Sequence, residues 1–107
     1  MSELEELLAG QIRLLGLPEP EREYRFAAPK RKFRADFAWP ERMVIAECEG
    51  GLWVKSRHRT GKGFLQDCIK YNMAAELGWT VYRYPAPLIE SGEAAAQLER
   101  VLKDDQA

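Results

Sequence analysis

On two short apolar runs, residues 33–39 and 43–49, sit the acids that could do chemistry: Asp36 on the first, Glu47 and Glu49 on the second. Side chains of an extended chain alternate in face with period two. Phe33, Ala35 and Phe37 then share one face, and Arg34, Asp36 and Ala38 the other; Val44, Ala46 and Cys48 oppose Met43, Ile45, Glu47 and Glu49. If the turn at residues 39–42 pairs Ala38 with Met43, Asp36 faces Ile45 and Arg34 faces Glu47. Asp36 and Glu47 become diagonal cross-strand neighbours, roughly 7–8 Å apart at the backbone. Carboxylates so placed raise each other's pKa, and one shared divalent ion relieves the repulsion. An all-oxygen donor set points to Mg²⁺, with Mn²⁺ as substitute. Against this stands a plainer arrangement, Glu49 in water at a strand end and Asp36 paired with Arg34.

The elements that must position these acids follow from the pattern. Ser2 with Glu5 is a capping box, and Leu4, Leu7, Leu8, Ile12 and Leu15 recur at helical spacing until Gly16, Pro18 and Pro20. Residues 23–27, 33–39 and 43–49 read as strands, with Gly50-Gly51 closing the third. A polar loop leads to a helix at about residues 63–77, capped by Gly78, then a strand at 79–84 broken by Pro85 and Pro87, and a helix at 92–103. Short turns make the first three strands antiparallel, whereas a strand that follows a crossover helix normally pairs parallel. A single domain spanning residues 1–107 is expected, of mixed α/β class: a small mixed sheet with a helix on each face.

Composition narrows the classes. The net charge is −1, so the whole-molecule field favours neither nucleic acid nor membrane. The longest apolar run is four residues, Met43 to Ala46, so no membrane-spanning helix is expected, and the acidic start does not suit a signal peptide. Cys48 and Cys68 with the single His58 do not make a four-ligand zinc site; the cysteines read as free thiols in a reducing cytosol. Cys48, between two acids on a buried face, is a poor thiolate. Charge is nonetheless segregated. Residues 22–34 carry six bases against one acid and residues 55–70 five against one, flanking the acidic middle. Either run alone is ordinary solvated surface. Together they suit backbone phosphates, with Lys30, Arg31, Lys32, Arg34, Lys55, Arg57, Arg59 and Lys62 as candidate nucleic-acid contacts.

Asp36-Phe37-Ala38-Trp39-Pro40, Glu47-Cys48-Glu49-Gly50-Gly51, Arg57-His58, Gly61-Lys62-Gly63-Phe64, Asp67, Lys70-Tyr71-Asn72, Gly78-Trp79 and Tyr82-Arg83-Tyr84 occur in an αβββαβ order. This series resembles the PD-(D/E)XK nuclease superfamily, and within it small phage and prophage endonucleases akin to the very-short-patch-repair group. The resemblance runs from about residue 5 to 85. It implies a restriction-endonuclease-like core followed by a C-terminal helix, and a metal-dependent endonuclease acting on DNA in a bacterial host cell. Asp36, Glu47 and Glu49 would hold Mg²⁺. Where the superfamily usually carries lysine this sequence has Glu49, and Lys70 on the following helix is the best-placed replacement. His58 is a further candidate near the scissile phosphate, and Glu5 and Glu6 could reach the metal from the first helix. Plainer roles are also open: Lys70 paired with Asp67, His58 solvated, Glu5 and Glu6 as helix-start acids.

The chemistry implied is metal-assisted phosphodiester hydrolysis. No base-reading helix is visible, so recognition of DNA structure or loose specificity is expected. One centre per domain means that cutting both strands needs a homodimer or two successive nicks. Phe33, Phe37, Trp79 and Tyr82 fit packing positions, and Trp53 fits a lid-like packing residue or a base-stacking one. Two other classes compete: a binding module of the same fold that grips nucleic acid without cutting it, which Glu49 favours, and a small phage protein that binds host proteins.

Overall fold

The computed structural model describes residues 2–50 and 61–103. Helix α1 (Glu3–Leu14) starts as the capping box requires: Glu5 N–H donates to Ser2 Oγ at 3.0 Å. It buries Leu8, Ala9 and Ile12, and ends where Gly16 turns to φ +68° and Leu17 N–H returns to the Ile12 carbonyl at 3.1 Å. Only glycine enters that left-handed region without side-chain strain.

Strands β1 (Glu21–Tyr24), β2 (Ala35–Trp39), β3 (Val44–Glu49) and β4 (Thr80–Pro85) lie side by side in sequence order. The first two pairings are antiparallel and β3·β4 is parallel, joined by the crossover helix α2 (Gly61–Glu76). This is the mixed sheet expected from the element order. A short helix α3 (Ala86–Glu90) and helix α4 (Glu93–Leu102) follow. Among the described residues no helix is long and apolar enough to cross a membrane.

Several local expectations need correction. The β2–β3 register is Ala38 opposite Ile45 and Trp39 opposite Val44, two residues from the expected pairing of Ala38 with Met43. Met43 takes φ +55° and belongs to the turn, so the paired segment begins at Val44. An even shift keeps the faces but brings Asp36 directly opposite Glu47 in place of Ile45. Strand β1 lies at residues 21–24 rather than 23–27, and Phe26 and Ala27 bury their side chains from a turn instead. Pro85 and Pro87 end β4 as expected, and they also open the unexpected α3: Pro85 caps it and Pro87 occupies its first turn, where a missing N–H is harmless.

Two apolar layers cover the sheet. Phe37, Trp39, Val44, Ala46 and Tyr84 pack with Leu8, Ile12, Ile89, Leu98 and Leu102 on one side. Ala35, Ala38 and Ile45 pack with Ala74, Trp79, Phe26 and Ala27 on the other. Ala35 and Phe37 are two residues apart yet lie in different layers, so the simple alternation breaks at the residue between them, Asp36. Of the expected packing aromatics, Phe37 and Trp79 are buried and Phe33 and Tyr82 lie half-buried against the two layers.

Candidate active site

The break at Asp36 builds the site. Asp36 and Glu47 share the ladder through their side chains: Asp36 N–H donates to Glu47 Oε2 at 2.7 Å, and Cys48 N–H donates to Asp36 Oδ2 at 2.8 Å. Each carboxylate satisfies a backbone donor on the other's strand, which fixes both groups at the junction. Glu47 is 4% exposed, the buried charged side chain among the described residues. Its other oxygen, Oε1, accepts from Lys70 Nζ at 2.7 Å and from Tyr71 Oη at 2.9 Å, both on α2. The Lys70 side chain is 19% exposed. Lys70 therefore turns into the site and not toward Asp67.

Asp36 gathers a second set of oxygens. Carboxylate oxygens of Glu5 on α1, Glu23 on β1 and Asp36 all lie within 4.8 Å of one another. Glu23 has φ +52°, a local departure from extended backbone opposite Asp36. Arg22 stands beside them, 3.7 Å from Glu5 and 3.1 Å from Glu6, with its guanidinium 4.6 Å above the Phe37 ring. Glu5 Oε1 is buried and accepts no hydrogen bond. Arg34 pairs with Glu23 at 3.5 Å; it neither faces Glu47 nor neutralises Asp36, the two arrangements that the sequence allowed.

Among the described residues Glu47 and Glu49 join Asp36 in no such group of three. Glu49 is turned to Arg83 on β4, which donates from Nε at 3.1 Å and from Nη2 at 3.0 Å. Glu6 is exposed and paired with Arg22, and is not one of the three carboxylates of the Asp36 group.

Electrostatics follows from this crowding. Burial pushes the carboxyls of Asp36, Glu47 and Glu5 above their usual range. The Cys48 N–H bond works against the rise at Asp36, the Lys70 ammonium against that at Glu47; Asp36 and Glu23 add to that at Glu5. Burial, with Asp36, Glu5 and Glu47 around it, pushes the Cys48 thiol up to about 12. Three carboxylates that bring an oxygen each to one point, with Glu5 also carrying a buried oxygen that has no hydrogen-bond donor, are a donor set suited to a hard dication.

Lys30, Arg31, Lys32 and Arg34 are exposed just before β2, and Arg31 covers the Phe33 ring at 5.5 Å. Lys62 is exposed at the start of α2. Lys55, Arg57, His58 and Arg59 lie outside the described residues, as does Trp53.

Three site residues went unassigned in the sequence: Glu23, Tyr71 and Arg83. Tyr71 had a usable signal, being next to Lys70. Arg83 was singled out only within Tyr82-Arg83-Tyr84 and given no role, because its place opposite Glu47 depends on the parallel β3–β4 register, which the packing of a crossover helix sets.

No family model matches the chain, and no solved structure matches it. Two curated relatives do, both uncharacterized proteins of Mycobacterium tuberculosis, one from each of two strains. Each is 33% identical over 94 residues, covering 81% of this chain and 32% of the relative. The chain thus spans about a third of the length of the curated relatives it matches.

Proposed function

We propose that the chain is a metal-dependent endonuclease that hydrolyses DNA phosphodiester bonds, of the PD-(D/E)XK kind that its motifs resemble. One observation carries the reading: Asp36 and Glu47, on adjoining strands, are locked together by each other's backbone, and an ammonium stands 2.7 Å from Glu47.

Asp36 would hold Mg²⁺ or Mn²⁺ with Glu5 and Glu23, while Glu47, its oxygens taken by Asp36 N–H, Lys70 and Tyr71, would hold Lys70 beside the ion. When bound, the ion supplies Lewis-acid activation of phosphorus and of a water. The chain's own groups do the rest. Burial lowers the effective dielectric around Glu47 and Lys70, so the ammonium stabilises charge developing on a nearby phosphate more than it would in water. Tyr71 fixes the second lone pair of Glu47 Oε1 and so its orientation. The exposed run Lys30, Arg31, Lys32 and Arg34 binds flanking phosphates without reading sequence. In the same reading Lys55, Arg57, Arg59 and Lys62 would add phosphate contacts, and His58 would act near the scissile phosphate. The activity is that of a bacterial cytoplasmic protein of phage or prophage origin, working as a homodimer or by successive nicks.

Nicking of supercoiled plasmid in Mg²⁺ or Mn²⁺ tests this. Wild type should nick, chelation should stop it, and Asp36→Ala and Lys70→Ala should each reduce the rate by at least about 100-fold. A binding module of the same fold is the second reading, favoured by Glu49 in the lysine position and by its commitment to Arg83. It predicts retention of duplex by wild type and Asp36→Ala alike, with no nicking by either.

A further inference from the structure

We propose that Arg83 contacts a backbone phosphate of the bound strand, and that Glu49 is its positioning partner and not a metal ligand. This rests on the nuclease reading above and assigns two residues within it.

The parallel register sets Arg83 opposite Glu47, with Glu49 two residues along the same strand. Arg83 donates Nε and Nη2 to the two oxygens of Glu49, a two-pronged pairing that fixes the plane of the guanidinium. That plane lies 4.2 Å from the centroid of the Tyr71 ring, and Lys70 Nζ lies 5.3 Å from the same centroid. Tyr71 Oη in turn reaches Glu47 Oε1 at 2.9 Å and Glu49 Oε2 at 3.4 Å. One aromatic ring thus holds two cations in fixed relation to both glutamates.

The cations differ in access. Lys70 is mostly buried beside Glu47, whereas the Arg83 side chain is 45% exposed. Arg83 Nη1 has no hydrogen-bond partner among the described residues. Asp67 stands 4.0 Å from Nη2 and leaves Nη1 open. A planar fork with one edge docked on a carboxylate and the other edge free suits a phosphate oxygen. Glu49, with both oxygens accepting from one guanidinium, is a poor further ligand for a dication beside Asp36.

The test uses the full chain and two readouts, neither of them cleavage. Calorimetric Mn²⁺ titration without DNA reads the metal. Glu49→Gln should bind within about twofold of wild type, and a weakening of tenfold or more would make Glu49 a ligand and overturn the assignment. Fluorescence anisotropy with a labelled duplex in Ca²⁺ reads the phosphate contact. Arg83→Gln should weaken binding about tenfold, Arg83→Lys less, and Glu49→Gln/Arg83→Gln no more than Arg83→Gln alone. Multiplying losses, or Arg83→Gln binding as wild type does, would overturn it. Melting curves identify any variant that fails to fold, and Arg83→Lys then carries the comparison. A wild type that binds Mn²⁺ and duplex but never nicks sinks the nuclease reading, while both readouts still decide Arg83 and Glu49.

Discussion

Lys70 reaches from the third turn of α2 to β3 and sets its ammonium 2.7 Å from Oε1 of Glu47, where the carboxylate is 4% exposed. Removing one partner of such a pair leaves the other charge buried. Lys70→Met should therefore cost roughly 3 kcal/mol of stability by urea denaturation, and Glu47→Gln added to it should recover part of the loss. An unchanged denaturation midpoint for Lys70→Met would show that the pair is not formed in solution.

The raised carboxyls of Asp36, Glu47 and Glu5 bind protons more readily in the folded chain than in the unfolded one. Their contribution is thus most favourable at low pH and is lost as pH rises through the raised folded values. Asp36→Asn should be more stable than wild type near neutrality, by on the order of 1 kcal/mol for each unit by which the carboxyl is raised. The gap should close as pH falls into the ordinary carboxylate range, and melts between about pH 4 and pH 8 would show it. A gap that widens on acidification contradicts the assignment.

Divalent ions should reverse that balance. Mn²⁺ at about a hundred times its Kd should add roughly 2.7 kcal/mol to wild-type stability. Glu5→Gln, Glu23→Gln and Asp36→Ala should each blunt the gain, Asp36→Ala the most, in melts with and without the ion. Equal stabilisation of Asp36→Ala and wild type would place the ion elsewhere.

For duplex binding, the slope of log K against log salt reports how many phosphates the protein neutralises, about 0.9 for each. Neutralising Lys30, Arg31, Lys32 and Arg34 together should flatten the slope by about 0.9 for every phosphate no longer engaged, and weaken all sequences alike. A full slope retained by that variant would remove the segment from the interface.

Cys48, with its thiol held up near 12, should resist an aromatic disulfide reagent at about pH 8 until the chain unfolds, leaving Cys68 to react first. Two thiols released at one rate would contradict the closed acidic surroundings of Cys48.

How far the sequence foretold this arrangement depends on the element. Ser2 and Glu5 announced α1, because a cap is local chemistry. The order of strands and crossover implied the mixed sheet, because connection length decides parallel against antiparallel. Asp36 beside Glu47 was legible from period-two patterning, but their direct opposition was not, since Met43 entered the left-handed region that a non-glycine residue seldom occupies. The same held for Glu23, whose positive φ sits opposite Asp36. Pro85 and Pro87 announced the end of β4 but not the start of α3, because a proline that ends one element also suits the start of the next. Arg83 depended on tertiary packing, which no local pattern records.

Arg42, in the turn between β2 and β3, donates to the carbonyls of Leu102 and Val101 at the end of α4, sixty residues downstream. During synthesis that anchor does not exist until residue 102 has cleared the ribosome. The acidic pair, held by residues 36–70, can therefore be assembled before the turn of its own hairpin is anchored, and the tie to the closing helix comes last.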